Sequence, residues 1–201
     1  MTTVAFIGLG NMGSGMADNL VKNDYNVLAF DLSEAALAKA KEAGCTIAQS
    51  TEQAAAEADI VITMLPAGKH VKDIYSNQIL SSVCEGTLLI DCSTIDVETA
   101  KSVSELAEKK GLKMLDAPVS GGVAAAAGGT LTFMVGGDAD AFDKAHGVLS
   151  AMGKKIVHAG GHGAGQAAKI CNNMLLGATM IATCESFQLA QKLGLDAQVF
   201  F

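Results

Sequence analysis

The 201 residues suffice for one full α/β domain and part of a second unit, and half of them are hydrophobic, so a sizeable core can form. The formal charge of −7 excludes the basic footprint of a nucleic-acid binder, and all 14 basic residues are lysine, which leaves no guanidinium fork to clamp a phosphate. The five cysteines form no CxxC pair and their number is odd, which argues against a disulfide framework or a zinc site. Buried, reduced thiols in a cytoplasmic protein without a metal are expected instead.

From the N-terminus, Thr3–Ile7 reads as an apolar strand, so no cleavable leader is expected ahead of it. It runs into Gly8-Leu9-Gly10-Asn11-Met12-Gly13, and Met12–Lys22 then has helical spacing. Asn26–Phe30 is a second strand ended by Asp31, and Ser33–Ala43 is a helix with Ser33 at its N-cap. A weak strand at Thr46–Ala48 and a short helix at Glu52–Glu57 precede the strongly apolar strand Asp59–Leu65. Val71–Leu80 predicts one helix, Thr87–Asp91 a strand, Val97–Lys110 a helix and Lys113–Ala117 a strand. Ala124–Ala127 with Gly128-Gly129 predicts a short turn or helix beside the site. Strand Thr130–Val135, helix Ala139–Met152 and strand Lys155–His158 complete the alternation.

The strands are near-continuous apolar runs, the pattern of a parallel sheet covered on both faces. Alternating elements of this kind predict an α/β fold, a Rossmann-type doubly wound and mainly parallel sheet, over residues 1–162. The pattern changes after that. From Ala164 to about Leu193 there is no proline, and Ala167, Ile170, Cys171, Met174, Leu175, Ala178 and Ile181 form an apolar stripe. A helix of that length runs roughly 45 Å, longer than a small domain is wide. It is read as the long first helix of an all-α second domain, residues 163–201, which is expected to be incomplete here. The stripe also predicts a homo-oligomer, a dimer or tetramer formed through the C-terminal helices. Ile170–Cys184 falls short of the roughly 18 apolar residues of a membrane span, so no membrane partner is expected.

Gly8, Gly10 and Gly13 fit GxGxxG in the context that gives the motif meaning, after a strand and opening a helix. The first glycine permits the turn, the second lets a pyrophosphate approach the backbone, and the third lets helix and strand pack closely. The amides near Asn11 and Met12 then face the phosphates. Asp31, 18 residues past Gly13, accepts from ribose hydroxyls and repels a 2′-phosphate, or else serves as a charge at the start of the next helix. With no arginine to hold that phosphate, NAD is predicted over NADP. Two later strand ends, Leu65-Pro66 and Asp91-Cys92-Ser93-Thr94, should line the same crevice, because ligands bind at the carboxyl ends of such strands.

Phe6–Gly13, Asp116-Ala117-Pro118-Val119-Ser120-Gly121-Gly122 and Gly163–Asn173 together resemble three motifs of the β-hydroxyacid dehydrogenases, in order and across nearly the whole chain. Lys169-Ile170-Cys171-Asn172-Asn173 resembles the branch acting on 3-hydroxyisobutyrate more than tartronate semialdehyde reductases. The chain differs from 6-phosphogluconate dehydrogenases, which need extra cations for the substrate phosphate, whereas this chain has no arginine. The resemblance implies NAD-dependent, reversible oxidation of a small 3-hydroxy acid to its semialdehyde. By the same resemblance Lys169 is the catalytic general acid/base, and Thr94 contacts the cofactor near the nicotinamide ribose. Ser120 with the amides of Gly121 and Gly122 binds the substrate carboxylate, and Asn172 contacts substrate or satisfies buried backbone. Asn173, four residues past Lys169 and so on the same helix face, hydrogen-bonds the substrate oxygen or orients the lysine. A lysine takes a proton only when neutral, so its pKa must be lowered by desolvation or by nearby positive charge. The rival of another class is a non-catalytic NAD-binding fragment or sensor. A methyltransferase with a glycine-rich loop is disfavoured by the third glycine and the lysine motif.

Overall fold

A computed structural model describes all of residues 1–201. The strands are β1 (Thr3–Ile7), β2 (Asn26–Phe30), β3 (Thr46–Ile47), β4 (Ile60–Thr63), β5 (Leu88–Asp91), β6 (Lys113–Asp116), β7 (Val119–Ser120), β8 (Leu131–Gly136) and β9 (Gly153–Gly160). The helices are α1 (Gly13–Lys22), α2 (Glu34–Glu42), α3 (Thr51–Ala56), α4 (Gly68–Ile74), α5 (Leu80–Ser82), α6 (Val97–Glu108), α7 (Gly122–Ala127), α8 (Ala139–Met152), α9 (Ala164–Lys192) and α10 (Ala197–Phe200).

One sheet runs in the order β3-β2-β1-β4-β5-β6-β8-β7, with β9 paired to β8. The pairs from β3 to β6 are all parallel, whereas β8 is antiparallel to both β6 and β7. The first six strands thus have the doubly wound order, and the direction of winding reverses between β1 and β4, where such sheets open a crevice. Side chains alternate across β1: Val4 and Phe6 join a core with α1, α2 and α8, while Ala5 and Ile7 join a second core with α3, α4 and α6. Full burial of Phe6, Leu20, Ile62 and Leu89 is worth about 1.5–3 kcal/mol apiece, which makes β1 and β4 a firm base for the loops at their ends.

Helix starts follow the capping residues. Ser33 accepts from the Ala36 amide at 3.4 Å, Ser50 from Gln53 at 3.2 Å and Asp96 from Thr99 at 2.7 Å. The helix predicted over 71–80 is present within a longer unbroken helical stretch, in which α4 widens to a π turn at Tyr75–Ile79 before α5. Val71, Tyr75 and Ile79 are all fully buried along this stretch. The alanine patch forms α7, whose small residues suit α1: a side chain on Gly15 would meet the Ala127 amide at 2.8 Å. The short strand β7 follows Pro118 directly.

Only Cys45 and Cys92 of the five cysteines are buried; Cys84, Cys171 and Cys184 are exposed, contrary to the expectation of buried thiols, because the last two ride on α9. Of the 29 residues of α9, only Gly165, Gln166 and Ala190 are buried, and Ile170, Met174, Leu175 and Ile181 lie open. The helix leaves the sheet after its first turns. No helix is long and apolar enough to cross a membrane.

Candidate active site

The loop from β1 to α1 is built around three glycines with different duties. Gly8 has φ +97°, and a side chain there would strike the Met64 carbonyl; one on Gly13 would strike the Gly8 carbonyl. These two let α1 start hard against β1 and β4. Gly10 is different, since nothing lies within 4 Å of the place its Cβ would take. The amides of Asn11, Met12 and Gly13 donate to no acceptor in the chain and point the start of α1 outward.

A cleft of about 580 Å³ opens there, and Gly8, Gly10, Asn11, Met12, Gly13, Asp31, Leu65 and Pro66 all line it. Eight of the nine residues expected to hold the cofactor therefore share one cleft; Thr94 is exposed and outside its lining. Asp31 accepts from the Leu9 amide at 2.6 Å and from the Ser33 amide at 2.8 Å. Its carboxylate thus braces the glycine loop as well as ending β2. Free helix-start amides, an open Gly10 and a fixed acid at the end of β2 fit a dinucleotide with its pyrophosphate at the start of α1. Phe30, Thr51, His70, Asp73, Ile74 and Gln78 also line the cleft and were not anticipated. Ile74 and Gln78 reach it from the π turn and its approach, an irregularity that apolar periodicity does not reveal.

Beneath the far end of the cleft lies a buried polar chain. Thr63 Oγ1 donates to Asp91 Oδ1 at 2.7 Å and lies 3.2 Å from the Tyr75 hydroxyl. Ser93 Oγ donates to the same carboxylate oxygen at 2.6 Å and accepts from the Leu65 amide at 2.8 Å. The loops after β4 and β5 are tied together by this chain. Burial pushes the Asp91 carboxyl up to about 6, against the opposing hydrogen bonds from Ser93 and Thr63. Its Oδ2 atom has no partner.

A second polar junction attaches α9. Asp116 at the end of β6 accepts from the Gly163 amide at 2.7 Å and the Gln166 amide at 2.9 Å. Burial pushes its carboxyl up, opposed by those same amides. Gln166 Oε1 accepts from the Ile95 amide at 3.1 Å, and its Nε2 donates to the Ser93 carbonyl at 2.7 Å. Gly165 has no room for a side chain against the Met134 and Asp116 carbonyls. Lys169 follows Gln166 by three positions, just under one turn. It is half-buried, makes no ion pair, and burial lowers its pKa. Asn172 Nδ2 lies 3.4 Å from Asn173 Oδ1, and Asn173 is exposed. Ser120 is partly exposed at the end of β7. Gly121 and Gly122 follow with φ +129° and +71°, conformations that disfavour any side chain. Lys169, Asn172, Asn173, Ser120, Gly121 and Gly122 do not line the dinucleotide cleft. Gln166, on the same helix as Lys169, is tied to Ser93, whose hydroxyl holds the amide of the cleft residue Leu65, and Ser120 lies on β7 beside β8.

Comparison with known proteins agrees with this architecture. Residues 3–161 match the NAD binding domain of 6-phosphogluconate dehydrogenase, and residues 163–201 match the NAD-binding segment of NADP-dependent 3-hydroxyisobutyrate dehydrogenase. The chain is 53% identical to a 3-hydroxyisobutyrate dehydrogenase of Pseudomonas aeruginosa, over 99% of this chain and 67% of the relative. It is 50% identical to an NAD-dependent L-serine dehydrogenase of the same organism, over 99% and 67%. It is 51% identical to a probable mitochondrial 3-hydroxyisobutyrate dehydrogenase of Dictyostelium discoideum, over 96% of this chain and 61% of the relative. A structure of the Mycobacterium tuberculosis 3-hydroxyisobutyrate dehydrogenase with L-serine superposes with a TM-score of 0.96 at 52% identity, covering 98% of this chain and 68% of that one. The chain thus spans about two thirds of the length of these relatives. On the strength of the cleft, the two junctions and these matches, the chain belongs to the 3-hydroxyisobutyrate dehydrogenase family of β-hydroxyacid dehydrogenases, and residues 3–161 are its NAD(P)-binding domain.

Proposed function

We propose that this chain supplies the cofactor site and the acid/base of an NAD-dependent dehydrogenase that reversibly oxidises 3-hydroxyisobutyrate to its semialdehyde. The observation that carries this reading is Lys169: a half-buried lysine with a lowered pKa and no anion beside it, on a helix joined to the ends of β5 and β6. Such an amine is neutral more of the time than a surface lysine. In oxidation it accepts the hydroxyl proton as the carbinol carbon loses hydride; in reduction the ammonium returns that proton to the new alkoxide. Bound NAD would supply the hydride acceptor. Gly10 and the Asn11 and Met12 amides would hold its pyrophosphate, and Asp31 its adenosine ribose. Leu65, Pro66 and Thr94 would flank its reactive end. The amides of Gly121 and Gly122, which have no acceptor in the chain, suit the substrate carboxylate together with the Ser120 hydroxyl. Asn173 is read as a partner of the substrate oxygen, and Asn172 as a weaker contact.

The choice of NAD over NADP rests on Asp31. Its carboxylate is pinned by two amides, and neither Leu32 nor Ser33 after it offers a positive charge to a 2′-phosphate. L-serine is the second substrate reading, favoured by the 50% identity to the L-serine dehydrogenase and by the L-serine structure. The open apolar face of α9 supports self-association through the C-terminal helices. An assay of the complete gene product with 3-hydroxyisobutyrate, L-serine and 3-hydroxypropionate, each with NAD and NADP, tests all of this. Turnover of 3-hydroxyisobutyrate with NAD at the highest kcat/KM is expected. Preference for L-serine would shift the substrate, and no turnover of any hydroxy acid would leave the sensor reading in its place.

A further inference from the structure

The side chain of Gln166 performs no service for its own helix. Both of its polar atoms reach across to another element, to the Ser93 carbonyl at 2.7 Å and the Ile95 amide at 3.1 Å. These two groups bracket Thr94. Gln166 is fully buried, so neither bond is shared with solvent. The backbone of the same residue is held from behind, since its amide donates to Asp116 Oδ2 at 2.9 Å while Oδ1 takes the Gly163 amide at 2.7 Å. An acid at a helix start needs one such bond to cap it. Here two amides of the first turn and one long side chain are all fixed, and Gly136 and Gly165 lack side chains where β8 and α9 meet. The first turn of α9 therefore has one position against β5, β6 and β8.

Lys169 lies three positions past Gln166, which is about 4.5 Å along a helix and less than a turn around it. With the first turn pinned, the root of the lysine has no freedom of its own relative to Thr94. We propose that Gln166, backed by Asp116, is a positioning residue that sets the distance between the Lys169 amine and the reactive end of the cofactor. This rests on the reading of Lys169 as the acid/base. Gln166 touches neither the dinucleotide cleft nor the reacting atoms; it acts through the register of α9 against the loop carrying Thr94.

The test compares Gln166→Leu, Gln166→Glu and Lys169→Ala in the complete gene product, with NAD and either 3-hydroxyisobutyrate or L-serine. Leucine removes both bonds at similar volume, whereas glutamate keeps the acceptor for the Ile95 amide. Misplacement by about 1 Å lowers turnover about 100-fold. Q166L is therefore expected to lose kcat on that order with its Kd for NAD within about threefold of the parent, because the glycine loop and Asp31 are untouched. The primary isotope effect with substrate deuterated at the carbinol carbon is expected to rise, as hydride transfer becomes the slow step. Q166E is expected to recover part of kcat. A folded Q166L with kcat near the parent overturns the proposal. So does a loss of kcat matched by an equal loss of NAD affinity with no change in isotope effect, or failure of both variants to fold, since each assigns Gln166 to structure alone. Retained turnover in K169A would instead remove the lysine reading itself, whatever the Gln166 variants do.

Discussion

Replacing Asp91 with asparagine is expected to flatten part of the dependence of stability on pH. The carboxyl titrates near 3.8 when unfolded and at about 6 in the fold, where burial disfavours its charge. Between those values the folded state holds the extra proton, so stability falls as pH rises and the loss is complete above about pH 6. The full effect is about 3 kcal/mol, of which about 1 has already been lost at about pH 4.5. D91N keeps Oδ1 as the acceptor for Thr63 and Ser93 and puts its amide where Oδ2 has no partner. The amide carries its own desolvation cost, but that offset is the same at every pH. Urea melts of parent and D91N at about pH 4.5 and about pH 8, with equal m-values, should therefore show D91N gaining about 2 kcal/mol on the parent, or roughly 4–8 °C in Tm. A gap between the two proteins that does not change with pH would refute the reasoning. Because Ser93 still holds the Leu65 amide, the Kd for NAD is expected to stay within about twofold, an allowance below the roughly 1 kcal/mol of one lost hydrogen bond.

Three further outcomes follow from the site. Hydroxy-acid oxidation is expected to rise with pH through one group titrating below the usual 10.5 of lysine, because burial lowers Lys169; K169A is expected to abolish that turnover with NAD affinity largely intact, as measured by fluorescence titration and steady-state kinetics. Asp31→Ala removes a charged acceptor worth about 1.5–3 kcal/mol, so kcat/KM with NAD should fall roughly 10- to 100-fold while the ratio of NADP to NAD efficiency rises; an unchanged ratio counts against Asp31 as the discriminator. Gly10→Ala meets no atom of the chain and should fold normally yet weaken NAD about tenfold or more, whereas Gly13→Ala strikes the Gly8 carbonyl and should lower the melting temperature before any cofactor is added.

What could be read in the sequence was whatever is local. The glycine loop, the Ser33 cap and the run of apolar strands each depend on residues a few positions apart, and each lies where expected. Asp31 was legible as an acid ending a strand, but its grip on the Leu9 amide was not, since that bond spans 22 positions and leaves no periodic trace. The π turn escaped for a related reason. Val71, Tyr75 and Ile79 keep helical spacing whether or not the turn widens, so their pattern alone does not reveal it.

The residues that assemble the site from its pieces were the least legible of all. Asn19 reads as an ordinary polar residue in a helix, yet its amide binds the Ala126 carbonyl at 2.7 Å and so ties α1, which opens the cofactor loop, to α7, which follows the predicted carboxylate site. Asp116 and Gln166 likewise sit inside motifs in which attention falls on Ser120 and Lys169. Their bonds join positions 47 to 73 residues apart. A reactive group can be named from its chemistry alone, because only a few side chains accept a proton or bind a carboxylate. A group that holds another in place can be almost any hydrogen-bonding residue, so nothing in its type announces it. Its function is carried by where its two ends attach, and those attachments exist only once β5, β6 and α9 have been brought together.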